Sequence, residues 1–144
     1  MASVSIYGAG QLGQAVAAGL RGRGTHRVAG PFPREDRELA LNSGADVVLI
    51  ATTTLFKDVA DYIRDAVNAG SNVLVSAEEC AYPWAVNKKL ADELHELAKA
   101  KRVSIAGTGV NPGLIFDSLV ATLLGPTPSE FNGDGSPKTT VAVR

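Results

Sequence analysis

The sequence predicts an α/β fold, a doubly wound parallel sheet of about five strands with helices on both faces. Two observations carry this. Short apolar, β-branched runs alternate with helical repeats as far as Leu124, an order that requires crossover connections and therefore parallel strands. The run Val47-Val48-Leu49-Ile50 is continuously apolar, as in a strand covered on both faces. A chain of 144 residues suits one compact domain, expected over residues 1–126, with 127–144 as a separate tail.

Val4, Ile6 and Tyr7 form the first strand, which stops at Gly8. From Leu12 the period becomes helical: Leu12, Val16, Gly19 and Leu20 share a stripe, and Gly22 and Gly24 end it. His26 to Ala29 is a weak second strand closed by Gly30-Pro31-Phe32-Pro33. The charged stretch Arg34 to Glu38 leads into a short helix ending near Gly44, which leaves no room for the third strand of the usual six-stranded arrangement. Ala45 to Thr54 holds the clearest strand. Phe56, Val59, Ile63 and Val67 mark the next helix, and Gly70 suits its C-terminal stop.

Asn72 to Ser76 is another buried strand. Pro83 opens a long helix with Leu90, Leu94 and Leu97 on one side and charges opposite. Val103 to Ala106 completes the sheet, and a final helix is expected from Gly113 to Leu124, ended by Gly125-Pro126. With strands named by their places in the six-stranded fold, the expected order is 2-1-4-5-6. The tail, with "TPSEFNGDGSPKTT", reads as a linker or as disorder, with Val141-Ala142-Val143 as a candidate short strand.

Composition narrows the classes of function. Hydrophobic residues make up 45% of the chain and charged residues 20%, as in soluble globular proteins. A net charge of −1 and the lack of any basic run argue against nucleic acid and anionic membranes as partners. No apolar run approaches the roughly 20 residues that span a bilayer, and the N-terminus lacks the basic flank of a signal peptide. The lone Cys80 fits a reducing compartment, so the expected location is cytoplasmic. Metal ligands at workable spacing are absent.

Gly8-Ala9-Gly10-Gln11-Leu12-Gly13 matches G-x-G-x-x-G, with a strand before it and an amphipathic helix after it. Gly8 permits a tight turn, Gly10 lets a diphosphate approach the backbone, and Gly13 lets the helix pack close to the strand. The amides around Gln11 and Leu12 at the helix start favour anions. This predicts a Rossmann-like dinucleotide site; the alternative is a glycine-rich turn without a ligand.

Where NAD-binding chains place an acid at the end of the second strand, this one has Arg34. A guanidinium suits a 2′-phosphate, so NADP(H) is expected over NAD(H); the alternative is a solvated loop charge.

Ligands of open parallel sheets bind beyond the carboxyl ends of the strands. Three further segments belong there. Ala51, Thr52 and Thr53 could meet the nicotinamide ribose, or the threonines could cap the following helix. In "SAEECAYPW", Glu78 and Glu79 could orient or deprotonate an amine, or could simply be favourable acids ahead of a helix N-terminus. In "GTGVNPGLIFD", Gly107 permits close approach and Asn111 could bond a carboxamide; a plain strand–helix turn is the alternative. No His lies near Cys80 in sequence; His26 sits at a strand start and His95 on the charged side of a helix, and Cys80 reads as structural.

Together "YGAGQLG", "ATTT", "SAEECAYPW" and "GTGVNPGLIFDSL" resemble the N-terminal domain of 2,4-diaminopentanoate dehydrogenases and the related native amine dehydrogenases, within the dihydrodipicolinate reductase-like oxidoreductases. The resemblance covers Val4 to Leu124. It implies NAD(P)-dependent interconversion of an amine and its ketone through an imine. It also implies that a glutamate from the Glu78-Glu79 segment serves the amine side, without choosing between the two. The loop from Gly107 through Asn111 and Pro112 would border the nicotinamide. Members of that group continue into a domain that supplies substrate and dimer contacts. This leaves an enzyme completed by a further domain, a partner chain or a homo-oligomer. A stand-alone nucleotide-binding module without catalysis is the alternative.

Overall fold

The computed structural model describes residues 1–119 and Thr122. The chain divides into two units, Met1–Gly109 and Val110–Arg144. The first unit holds five parallel strands: β1 (Ser3–Tyr7), β2 (Arg27–Phe32), β3 (Val47–Ile50), β4 (Asn72–Val75) and β5 (Ile105–Gly107). Their order is β2-β1-β3-β4-β5, which is the expected arrangement with the third strand missing. The helices are α1 (Gln11–Arg23), α2 (Arg37–Leu41), α3 (Phe56–Asn68) and α4 (Lys88–Lys101).

Alternation along the strands divides the core in two. Ile6 lies beside Leu49, and this row packs against Ala17 of α1. Tyr7 lies beside Ile50, and with Val48, Val73 and Val75 it packs beneath Leu41 of α2, Phe56 and Ile63 of α3, and Leu94 of α4. Each such side chain contributes about 1.5–3 kcal/mol by leaving water. Apolar rows on both faces of β3 are why its sequence does not alternate.

In the first unit four local expectations change. On α1 the buried residues are Gly13 and Ala17, whereas Leu12 is 41% exposed. The helix lies so close to β1 that a Cβ at position 13 would overlap the Gly8 carbonyl, so small residues take the contact line. Strand β2 does not stop before Gly30 but runs to Phe32. Ser5 pairs with Ala29 and Tyr7 with Phe32, a bulge taken up at Gly30, whose φ is +83°. Because β2 is an edge strand, Pro31 is tolerated there.

Pro83 opens a separate 3-10 turn (Pro83–Ala85), and α4 starts at Lys88. The start is set by Asn87, whose Oδ1 accepts from the Leu90 N–H at 3.1 Å. Strand β5 begins at Ile105 rather than Val103.

In the second unit a helical segment of wide, π-type turns spans Val110–Leu119 and so begins before the expected Gly113. Asn111 and Pro112 fall in its first turn, where a missing proline N–H does no harm. The rest of the expected helix other than Thr122, and the tail at 127–144 with its candidate strand, lie outside the described residues.

Overpacking at the α1–β1 contact has a measurable cost. Gly13→Ala should lower the free energy of unfolding by about 1–3 kcal/mol, while Leu12→Ala should stay within about 0.5 kcal/mol of the parent. Denaturant titration of both variants checks this.

Candidate functional site

The carboxyl ends of β1, β2 and β3 meet at Gly8. Its N–H donates to the Phe32 carbonyl at 2.9 Å, and the Ala51 N–H donates to the Tyr7 carbonyl at 2.7 Å. Gly8 has φ +124°, and a Cβ there would overlap the Ala51 carbonyl. Gly8 and Gly13 are therefore required by the packing of the backbone alone.

Gly10 is different. It precedes α1 with φ −72° and ψ −175°, which any residue adopts, and a Cβ on it would meet nothing within 4 Å. No side chain caps α1, and its first turn holds no acid. The amides at the start of the helix thus keep free donors beside open space, with the positive end of the helix dipole behind them. Gln11 and Leu12 are exposed at this point.

Beside the loop, the Thr52 hydroxyl is buried and has no hydrogen-bond partner. Buried polar atoms normally have one. The threonines do not cap α3; the Phe56 N–H at its start instead donates to Glu79 Oε2 at 2.7 Å. An uncapped helix start, an open position at Gly10 and an orphaned hydroxyl at one sheet edge fit the diphosphate and ribose of a dinucleotide.

A cleft of about 430 Å³ opens between the ends of β2 and β3 and the start of α3. Arg34, Lys57, Thr52, Thr53, Asp58 and Asp61 line it. Tyr62 completes the lining. The backbone of Arg34 is held from beneath, because the Tyr7 hydroxyl donates to its carbonyl at 3.3 Å. Burial, then the neighbouring Tyr62, raises the Tyr7 pKa above the usual phenol value, so this donor keeps its proton. Tyr62 meets Tyr7 edge-on at 5.1 Å, and the Arg37 guanidinium lies 4.7 Å from the Tyr62 ring centre while pairing with Asp65 at 2.6 Å. Lys57 was missed by sequence reasoning; its place in the first turn after the "ATTT" segment was the available signal.

At the other end of the sheet edge, Glu78–Ala81 forms a 3-10 turn after β4. The structure separates the two glutamates: Glu79 is committed to the start of α3, and Glu78 is exposed. Cys80 is buried beneath them, and burial, with the Glu79 charge second, pushes its thiol up to about 11. That accords with the structural reading of Cys80. A Cβ on Gly107 would overlap the Cys80 carbonyl, so this glycine has a packing reason. Trp84 donates to Asp92 Oδ1 at 2.9 Å and meets His95 edge-on, which ties the "YPW" string to α4. Asn111 and Pro112 belong to the second unit. Among the described residues no cluster could hold a metal ion, and no helix is long and apolar enough to cross a membrane.

The chain is 43% identical over 102 residues to 2,4-diaminopentanoate dehydrogenase from Acetoanaerobium sticklandii; the match covers 65% of this chain and 29% of that protein. Amine dehydrogenase from Mycobacterium smegmatis superposes with a TM-score of 0.71 at 21% identity, over 90% of this chain and 45% of that one. Biliverdin reductase from Synechocystis sp. PCC 6803, solved with biliverdin and NADP+, superposes with a TM-score of 0.62 at 21% identity, again over 90% and 45%. No protein-family model matches. The chain thus spans less than half the length of each of these relatives. The resemblance drawn from its motifs is borne out by the first, and the Rossmann-like fold by the other two.

The contrast between neighbours at 78–80 can be measured. Glu79→Ala should cost about 1 kcal/mol of stability, the worth of a helix cap, whereas Glu78→Ala should change it by less than about 0.5 kcal/mol. With a thiol held near 11, Cys80 should resist alkylation of the folded protein at pH 8 and react readily once the chain is unfolded.

Proposed function

We propose that this chain is the NADP(H)-binding part of an oxidoreductase that interconverts an amine and its ketone through an imine. The observation that carries the reading is Gly10: a position free of steric demand beside uncapped helix amides suits a diphosphate that must touch the backbone. The amides from Gly8 to Gly13, including those of Gln11 and Leu12, hold the diphosphate. Ala51, Thr52 and Thr53 face the sugar, and the Thr52 hydroxyl gains there the partner it lacks. Arg34 follows the second strand and takes the 2′-phosphate, which favours NADP(H) over NAD(H).

When bound, the nicotinamide exchanges a hydride with the substrate carbon. Gly107 borders that ring. Glu78 is the polar partner of the substrate nitrogen: its carboxylate orients the ammonium or accepts its proton. Glu79 gives up that role because it caps α3. The kinship in sequence to 2,4-diaminopentanoate dehydrogenase supports the amine as the substrate class. Further substrate contacts come from another domain, a partner chain or a second copy, and a reduced Cys80 goes with a cytoplasmic location.

Calorimetry with NADP+, NADPH, NAD+ and NADH should show micromolar or tighter binding with NADPH preferred. Gly10→Ala should leave thermal stability unchanged and weaken NADPH by about tenfold or more, the scale of a displaced charge-assisted contact. NADPH loss with ketones plus ammonia should fall in Glu78→Gln. Tight binding without turnover on any ketone would favour the non-catalytic module, and no binding at all would end the nucleotide reading.

A further inference from the structure

We infer that Lys57 is a second specificity-determining cation, and that the 2′-phosphate of the coenzyme is read by two positive groups from two different strand ends. The inference rests on the nucleotide reading above and extends it to a residue on α3. Arg34, just beyond β2, and Lys57, in the first turn of α3, line one cleft together with Thr52 and Thr53. The cleft adjoins the glycine loop through backbone contacts: Gly8 bonds to Phe32 at the end of β2 and packs against Ala51 at the end of β3. A nucleotide whose diphosphate lies on α1 therefore has this cleft within reach of its adenosine end.

The charges in the cleft favour an anion. Among the described residues neither Arg34 nor Lys57 forms an ion pair. Of the two acids that also line it, Asp61 is paired with Arg64. That leaves two unpaired cations against Asp58. A doubly charged phosphate supplies what they lack, while the ribose hydroxyl of NAD(H) does not. Asp58 offers the opposite chemistry, since a carboxylate would accept from that hydroxyl.

Arg34 also has a fixed origin. The bond from the Tyr7 hydroxyl holds its backbone against the end of β1, and Tyr7 is in turn met edge-on by Tyr62, which lies under Arg37. Lys57 is exposed on the first turn of a helix whose buried residues include Phe56, Val59 and Ala60. Its backbone is therefore anchored by its buried neighbours, and its substitution disturbs no core contact.

The probes are NADP+ and NAD+ with the full chain, and adenosine 2′,5′-bisphosphate against AMP, each titrated by calorimetry. Lys57→Met should weaken NADP+ and the bisphosphate by about tenfold and leave NAD+ and AMP unchanged. Lys57→Arg should restore most of the loss. Lys88→Met, a charge removed elsewhere, should change nothing, and added salt should erode the bisphosphate preference more steeply in the parent than in Lys57→Met, which keeps Arg34. If the parent binds NADP+ and NAD+ but Lys57→Met shifts both alike, or neither, the inference is overturned and the nucleotide reading stands. If the parent prefers NAD+ and Asp58→Asn removes the preference, the cleft reads a hydroxyl and the inference is wrong. If the parent binds none of the four probes, the underlying reading falls and takes the inference with it.

Discussion

The whole sheet edge depends on the meeting of three backbones at Gly8. Its carbonyl is pressed by Gly13 from α1, its amide bonds to the end of β2, and its Cα face rests on the end of β3. Without side chains at 8 and 13, α1 can start directly above the strand ends with its amides uncapped. A methyl group at either position would push the helix outward. The helix dipole would then no longer point into the space beside Gly10, and the ends of β2 and β3 would separate from it.

The same junction organises the cleft of Arg34 and Lys57. Strand β2 reaches Phe32 because a bulge at Gly30 lets it keep pace with β1. That extension brings Arg34 to the sheet edge rather than to a distant loop. Tyr7, the last residue of β1, then holds the Arg34 carbonyl, so the strand that carries the glycine loop also anchors the cation. On the other flank, Glu79 joins the turn after β4 to the start of α3. One bond thus fixes both the segment that bears Lys57 and the turn that bears Glu78.

Much of the fold was legible in the chain. The sheet order followed from alternating periods and from the short segment between Gly30 and Gly44. The glycine loop followed from its spacing and its flanking elements. Other features were not legible, for particular reasons. Gly30-Pro31 looks like a strand end because proline lacks a donor, yet on an edge strand that donor is not needed. Pro83 looks like a helix start, but Asn87 supplies the cap that sets it. Leu12 looks buried by period, but the close approach of α1 reserves the contact line for Gly13 and Ala17.

Local chemistry alone determined where strands and helices form, which strands are buried on both faces, and which glycines crowd the first turn. These depend on residue size, period and backbone sterics over a few neighbours. Tertiary structure decided which of two adjacent glutamates is committed, where the second strand ends, and which lysine shares a cleft with Arg34. Glu79 bonds to Phe56 across 23 positions of sequence, and Lys57 lines one cleft with Arg34 only because β2 and β3 flank β1. Such pairings arise from how far the elements slide past one another, a quantity that no short window of residues contains.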